Sequence, residues 1–234
     1  FAPGSNGDAA PSQTLPGLGM AYPAGVTVDS GGNLYVADDG SNEGSVDSVT
    51  VYAPNNPVPT ETIGLNTAIQ IPSGITLDLN GSTYVTNVGS YYNGLDSVNV
   101  YAPGTYGNAP ITSAIAGSHT GLAAPLGVTY SRGNLYVTNS VGGVDGLGSV
   151  TIYPASSSGN VSPTVTIIGD STGDNTGFGN PIGVTLDAKG YLYVANAYGG
   201  PDGLGSITIY SPGSNGNVTP VATISDNPTC APCD

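Results

Sequence analysis

The chain has 234 residues, enough for one large all-β domain or two small ones. Only 8% of them are charged, against roughly 25% in an ordinary soluble domain, and two basic residues, Arg132 and Lys189, stand against 16 acidic ones for a net charge of −14. Neutralising nucleic-acid phosphates or lying on an anionic membrane takes a basic surface, so both partner classes are excluded; no run of 18 apolar residues spans a bilayer either.

In chain order, Phe1-Ala-Pro-Gly-Ser-Asn-Gly7 comes first, without an initiating Met, as expected of a mature or trimmed form. Pro11, Ser12, Gln13, Thr14 and Leu15 then read as a short strand. A block begins at Pro23-Ala-Gly-Val-Thr-Val-Asp29 and continues as Asn33-Leu-Tyr-Val-Ala-Asp38. It returns as Pro72-Ser-Gly-Ile-Thr-Leu-Asp78 with Ser82-Thr-Tyr-Val-Thr-Asn87, then as Pro125-Leu-Gly-Val-Thr-Tyr130 with Asn134-Leu-Tyr-Val-Thr-Asn139. The last copy is Pro181-Ile-Gly-Val-Thr-Leu-Asp187 with Tyr191-Leu-Tyr-Val-Ala-Asn196. Successive copies start 49, 53 and 56 residues apart. A third element follows each pair, at Ser48–Tyr52, Ser97–Tyr101, Ser149–Tyr153 and Ser206–Tyr210. A fourth, weaker one lies near Thr60–Ile63, Ile111–Ile115, Thr164–Ile168 and Val221–Ile224.

Alternating β-branched and aromatic residues bounded by Gly, Pro and Asn are the pattern of strands, so each unit reads as four short strands, A to D. No 12-residue stretch carries a 3.6-residue period, which leaves almost no helix. Four strands repeated at this period predict an all-β fold, a four-bladed β-propeller with four antiparallel strands per blade. Residues 1–22 form a lead-in with the extra strand. Blades follow at 23–71, 72–124, 125–180 and 181–225, and a cysteine-containing tail at 226–234. Tyrosines recur at 35, 84, 136 and 193 in strand B and at 52, 101, 153 and 210 in strand C, as packing between blades requires.

The block Pro-x-Gly-Val-Thr-Val-Asp-x-x-Gly-Asn-Leu-Tyr-Val-Ala-Asp resembles the NHL-type repeat, a propeller family of secreted and cell-surface proteins. The resemblance rests on strands A and B; strand C lacks the family's usual Asn-Arg element. It implies a propeller in an extracellular setting and leaves the activity open, because propellers host many activities.

The ends add one strand too many. Phe1–Gly7 matches Tyr210-Ser-Pro-Gly-Ser-Asn-Gly216, so the strand at 11–15 is a fifth D strand for four blades. Either it completes the last blade and displaces residues 220–224, or those stay and it is spare. A strand without an intramolecular partner is a template for another chain. The expectation is a secreted, non-catalytic structural protein that builds a head-to-tail filament of copies by strand exchange; packing of the spare segment on its own blade is the alternative.

Cys230 and Cys233 form Cys-Ala-Pro-Cys in a Pro-rich tail with no helix to activate a thiol, so a disulfide, local or between subunits, is the expectation. Asn80, Asn160 and Asn217 head glycosylation sequons. The B–C loops and D–A connections share one propeller face, and the first B–C loop is the most acidic: Asp38, Asp39, Glu43 and Asp47 among Asn, Ser and Gly offer the oxygen ligands Ca²⁺ takes, or else cap turns. No cofactor is required. Tyr91, Tyr92 and Tyr198 are the loop-face aromatics that a glycan- or protein-binding module would use. The fold also resembles gluconolactonase-like and virginiamycin-B-lyase-like propellers, which implies a metal held by acidic and amide groups in the first and a catalytic His in the second. The single His119, in Gly-Ser-His-Thr-Gly, has no evident acid–base partner.

Overall fold

The computed structural model describes residues 4–12, 14–15, 20–40, 46–64, 68–89, 95–143, 146–169, 176–199 and 203–225. Four antiparallel four-stranded sheets follow one another as blades. The first is β1 (Pro23–Val28), β2 (Leu34–Asp38), β3 (Ser48–Tyr52) and β4 (Glu61–Ile63). The second is β5 (Pro72–Leu77), β6 (Thr83–Asn87), β7 (Ser97–Tyr101) and β8 (Ser113–Ala116). The third is β9 (Pro125–Ser131), β10 (Asn134–Asn139), β11 (Ser149–Pro154) and β12 (Val165–Ile168). The fourth is β13 (Pro181–Leu186), β14 (Leu192–Asn196), β15 (Ser206–Tyr210) and β16 (Ala222–Ser225).

Asp29, Asp78 and Asp187 close the first, second and fourth A–B turns. Each carboxylate accepts the amides two and four residues on, for example Gly31 N and Asn33 N at 2.8 Å, which folds the Asx side chain into the turn. Every A strand carries the same irregularity next to its opening Pro, where the register slips around the x-Gly pair.

Side chains alternate between two faces of each blade, and blades stack face to face. The trailing face of blade 1 (Tyr35, Ala37, Val49, Val51, Ile63) packs on the leading face of blade 2 (Ile75, Val85, Tyr101). Tyr84, Val98, Val100 and Ile115 meet Val128, Leu135, Val137 and Tyr153 in the second contact. Val150 and Ile167 meet Leu192, Val194 and Tyr210 in the third, joined by Phe178 against the Tyr210 ring. The strand-C tyrosines are fully buried, and Tyr153 and Tyr210 donate their hydroxyl protons to the carbonyls of Thr120 and Thr176.

Glycine sets how closely the inner strands approach. A Cβ on Gly25 would lie 2.8 Å from Ser73 O, and one on Gly127 would lie 2.9 Å from Gly183 Cα; Gly74 is held as tightly by Leu126 O. Gly183 is different, since the nearest atom is Ala195 Cβ of its own blade at 3.7 Å. The A-strand contacts likewise run β1 to β5, β5 to β9 and β9 to β13, with no comparable contact returning from β13 to β1. The described residues thus build three blade-to-blade cores, and the four blades of the propeller follow one another as an open arc.

The last D strand stays in its own blade: β16 pairs with β15 from Ala222↔Ile209 to Ser225↔Ser206. Residues 11, 12, 14 and 15 carry no ladder, and Gln13 lies outside the described residues. Of the two D-type segments, β16 is therefore the one that pairs in blade 4 among the described residues.

Gly74→Ala should lower stability by about 1–3 kcal/mol through forced separation of β5 and β9, a Tm drop of about 2–4 °C per kcal/mol at this chain length. Gly183→Ala should leave the Tm of the isolated chain unchanged. Scanning calorimetry of the two variants distinguishes them.

Candidate functional site

The acidic loop face is built first by the residue that ends each B strand. Asp38, Asn87, Asn139 and Asn196 are all buried there. Both oxygens of Asp38 accept from Ala21 N at 2.8 Å, and Oδ1 also accepts from Tyr22 N at 2.7 Å. Asn87 and Asn139 take Gln70 N and Ala123 N in the same way, and Asn196 takes Gly179 N. Their side-chain amides donate to Ser97, Ser149 and Ser206 on strand C. One side chain therefore clamps each D–A connection to its blade.

A second acid clamps the next blade. Asp47 accepts Gly40 N at 2.8 Å within its own loop and Ile71 N at 3.0 Å from blade 2; Asp96 accepts Ala124 N at 2.7 Å from blade 3. Ile71 and Ala124 precede the A-strand prolines with φ of 45° and 47°, a conformation that costs free energy in a non-glycine residue. The carboxylate holds that bend in place.

Of the residues that composition marked for calcium, Asp38 and Asp47 are thus engaged with backbone amides. Asp39 donates its own amide to Tyr22 O, and Glu43 lies outside the described residues. Among the described residues no three His, Cys, Asp or Glu side chains are grouped to hold a metal ion. Cys230, Cys233, Tyr91 and Tyr92 also lie outside them. Tyr198 is exposed beside β14, its amide bonded to Gly179 O. His119 is tied to blade 3: its amide donates to Asn160 Oδ1 at 2.7 Å and its Nδ1 lies 3.2 Å from Asn160 Nδ2.

On the opposite face, a cleft of about 520 Å³ opens between blades 1 and 2. Asp29, Tyr35, Asp78 and Tyr106 line it. Burial works to raise the Asp29 carboxyl, but hydrogen bonds from Asn33, Gly31 and Tyr35 outweigh it and hold the group below its usual value. Burial, then Tyr106 and Asp29, push the Tyr35 phenol up to about 12. Burial and Asp78 do the same for Tyr84, and burial does so for Tyr153, partly offset by a hydrogen bond with Thr151.

The feature that reading for chemistry missed lies at the ends of the arc. Val26 on the leading face of blade 1 is 64% exposed, whereas its counterparts Ile75 and Val128 are 5% and 7% exposed. On the trailing face of blade 4, Ile224 is 57% exposed, whereas Ile63, Ile115 and Ile167 are at most 1% exposed. Ile182, Ile207 and Val221 are exposed beside it. The repeat of Gly25, Gly74, Gly127 and Gly183 was the available signal: among the described residues the glycine of close approach recurs at Gly183, where the nearest atom to a Cβ is Ala195 Cβ of its own blade.

The family model for the NHL repeat matches residues 20–46, the A and B strands of blade 1. With four blades of this build, the fold is that of a β-propeller, consistent with the NHL type. No curated protein matches it. Among solved structures it is similar to a chain of a nidogen/laminin complex (24% identity, TM-score 0.56), covering 81% of this chain and 60% of that one. A putative oxidoreductase (glucose dehydrogenase) from Thermus thermophilus is similar at 14% identity and TM-score 0.59, over 92% and 69% of the two chains. A gluconolactonase from Xanthomonas campestris is similar at 14% identity and TM-score 0.55, over 87% and 61%. The chain thus spans about 60% of the length of the first of these neighbours, and the likeness is one of fold.

Asp47→Ala should cost about 1–3 kcal/mol by leaving the Gly40 and Ile71 amides without their acceptor, read as a lower urea midpoint with an unchanged slope. The phenols supply a pH signature. Their folded values near 12 exceed the unfolded value of about 10. Their contribution to stability is therefore complete below about pH 10 and is lost as pH rises from there towards 12. Tyrosinate absorbance should rise cooperatively with loss of β-sheet circular dichroism across that window.

Proposed function

We propose that this chain is a non-catalytic structural module of the extracellular space that works by binding protein, a second copy of itself foremost. The observation that carries the reading is the trailing face of blade 4, an uncharged sheet face on which Ile207 and Ile224 are exposed and Ile209 half-buried among the described residues. Contiguous exposed apolar surface of this kind marks interaction sites. The chemistry of the rest supports the same reading: the described loop acids Asp38, Asp47 and Asp96 serve as clamps on backbone amides, and the one histidine sits in a turn contact with Asn160. The fold itself leaves the choice to the residues, since the similar structures include both a protein complex and a gluconolactonase. With a net charge of −14, copies repel at low salt, and association through an apolar face should strengthen as salt screens that repulsion.

Sedimentation velocity across a concentration series, at low and at physiological salt, is the test. The expected result is a sedimentation coefficient that rises with concentration, more steeply at the higher salt. A monomer at every concentration in both buffers overturns the proposal.

A further inference from the structure

We propose that the cleft between blades 1 and 2 binds an arginine side chain presented by a basic segment of a partner protein. The site lies away from the blade 4 sheet face and goes beyond the reading of self-association.

The chain itself contains a worked example of a guanidinium at this repeat position. Between blades 3 and 4, Arg132 reaches from the β9–β10 turn to the next blade, where its Nη2 donates to the Ala188 carbonyl. Its guanidinium lies over Gly190 beside Pro212: a Cβ on Gly190 would meet Nη1 at 2.9 Å and Pro212 at 3.6 Å. The repeat puts Leu79, Gly81 and Pro103 of blade 2 at the positions of Ala188, Gly190 and Pro212. All three line the cleft of about 520 Å³. A Cβ on Gly81 would meet Pro103 at the same 3.6 Å and no other described atom within 4 Å. The receiving wall is therefore present, and the space that Arg132 fills in its own gap is open here.

The other wall carries the opposite charge. Blade 3 turns through Ser131-Arg132-Gly133-Asn134, and blade 1 through Asp29-Ser30-Gly31-Gly32-Asn33. Where blade 3 supplies its own cation, blade 1 supplies a carboxylate. Asp29 Oδ1 accepts the amides of Gly31 and Asn33, and Oδ2 accepts from Asn33 Nδ2 at 2.9 Å, bonds that favour the ionised group. The Tyr35 hydroxyl reaches Oδ2 only at 3.5 Å, a weak bond that a charged donor displaces. Tyr35 and the exposed Tyr106 also line the cleft, and a tyrosine ring face attracts a guanidinium. Tyr106 is particular to this gap, since Ser158 and Asn215 stand at its place in blades 3 and 4. The gap between blades 2 and 3 differs again, because Tyr84 reaches across it to Ala155 O at 3.4 Å.

Charge and size define the partner. The chain has two basic residues against 16 acidic ones, and Arg132 is engaged within its own fold, so a second copy is a poor source of the arginine. The cleft is larger than one guanidinium needs, and Leu79 at its rim is 91% exposed, which gives the residues flanking that arginine an apolar contact.

A fluorescein-labelled Gly-Ser-Arg-Arg-Ser-Gly peptide and its counterpart with Gln for Arg test this by fluorescence anisotropy at physiological salt. The arginine peptide should bind and the glutamine peptide should not. Asp29→Asn keeps the oxygen that the turn amides use, and Tyr106→Ser changes an exposed side chain, so both should match the wild type in circular dichroism. Asp29→Asn should weaken binding about tenfold and Tyr106→Ser about threefold. Glu61→Gln removes an exposed charge of the same blade outside the cleft and should leave binding unchanged. If the wild type binds neither peptide, or both alike, the proposal falls. It falls equally if Glu61→Gln weakens binding as much as Asp29→Asn, which would assign the binding to general acidity. These outcomes are read on the peptide, so they stand apart from whether copies of the chain associate.

Discussion

Everything in this fold hangs on how closely one A strand can approach the next. Each blade is a thin sheet with two apolar faces, and neither face is stable in water alone. Stacking the sheets buries both, but the inner strands converge, and only a residue without a Cβ lets Gly25 lie against Ser73–Ile75 or Gly127 against Gly183. The bulge beside the opening Pro bends each A strand into that approach. Around these glycines the three cores assemble from Val, Ile, Leu and the fully buried tyrosines of strand C.

The polar residues serve the same stacking. An Asx at the end of each B strand fastens the incoming connection, and Asp47 and Asp96 reach across to hold the left-handed residue ahead of the next blade's Pro. The outermost strands are also stitched to the following blade, with Ile63, Ile115 and Ile167 bridging in parallel to Gly107, Gly159 and Gly216 of the turns after strand C. An acidic, amide-rich composition, which in a loop resembles ligand chemistry, is to a large extent spent on joining blade to blade.

The strands were legible because their period is local. Alternation at Ser48–Tyr52 or Leu192–Asn196 reflects two buried faces of one blade, and the turn acids Asp29, Asp78 and Asp187 follow from Asx chemistry within four residues. The roles of Asp38 and Asp47 were not legible, because their partners lie 16 to 24 residues away at Tyr22 and Ile71. A carboxylate flanked by Asn, Ser and Gly reads alike whether it holds an ion or an amide.

The amino-acid sequence by itself determined the four-strand unit, its fourfold repetition and the excess of one D-type segment, since each depends on hydrophobic period and turn residues close together in the chain. Tertiary structure alone decided which D segment keeps its partner, that the blades form an arc with three cores, and that Val26 and Ile207 face solvent where their repeat counterparts are buried. The reason is physical. Repeats with near-identical sequences have near-identical faces, and only their placement in space decides whether a given face meets another blade or water.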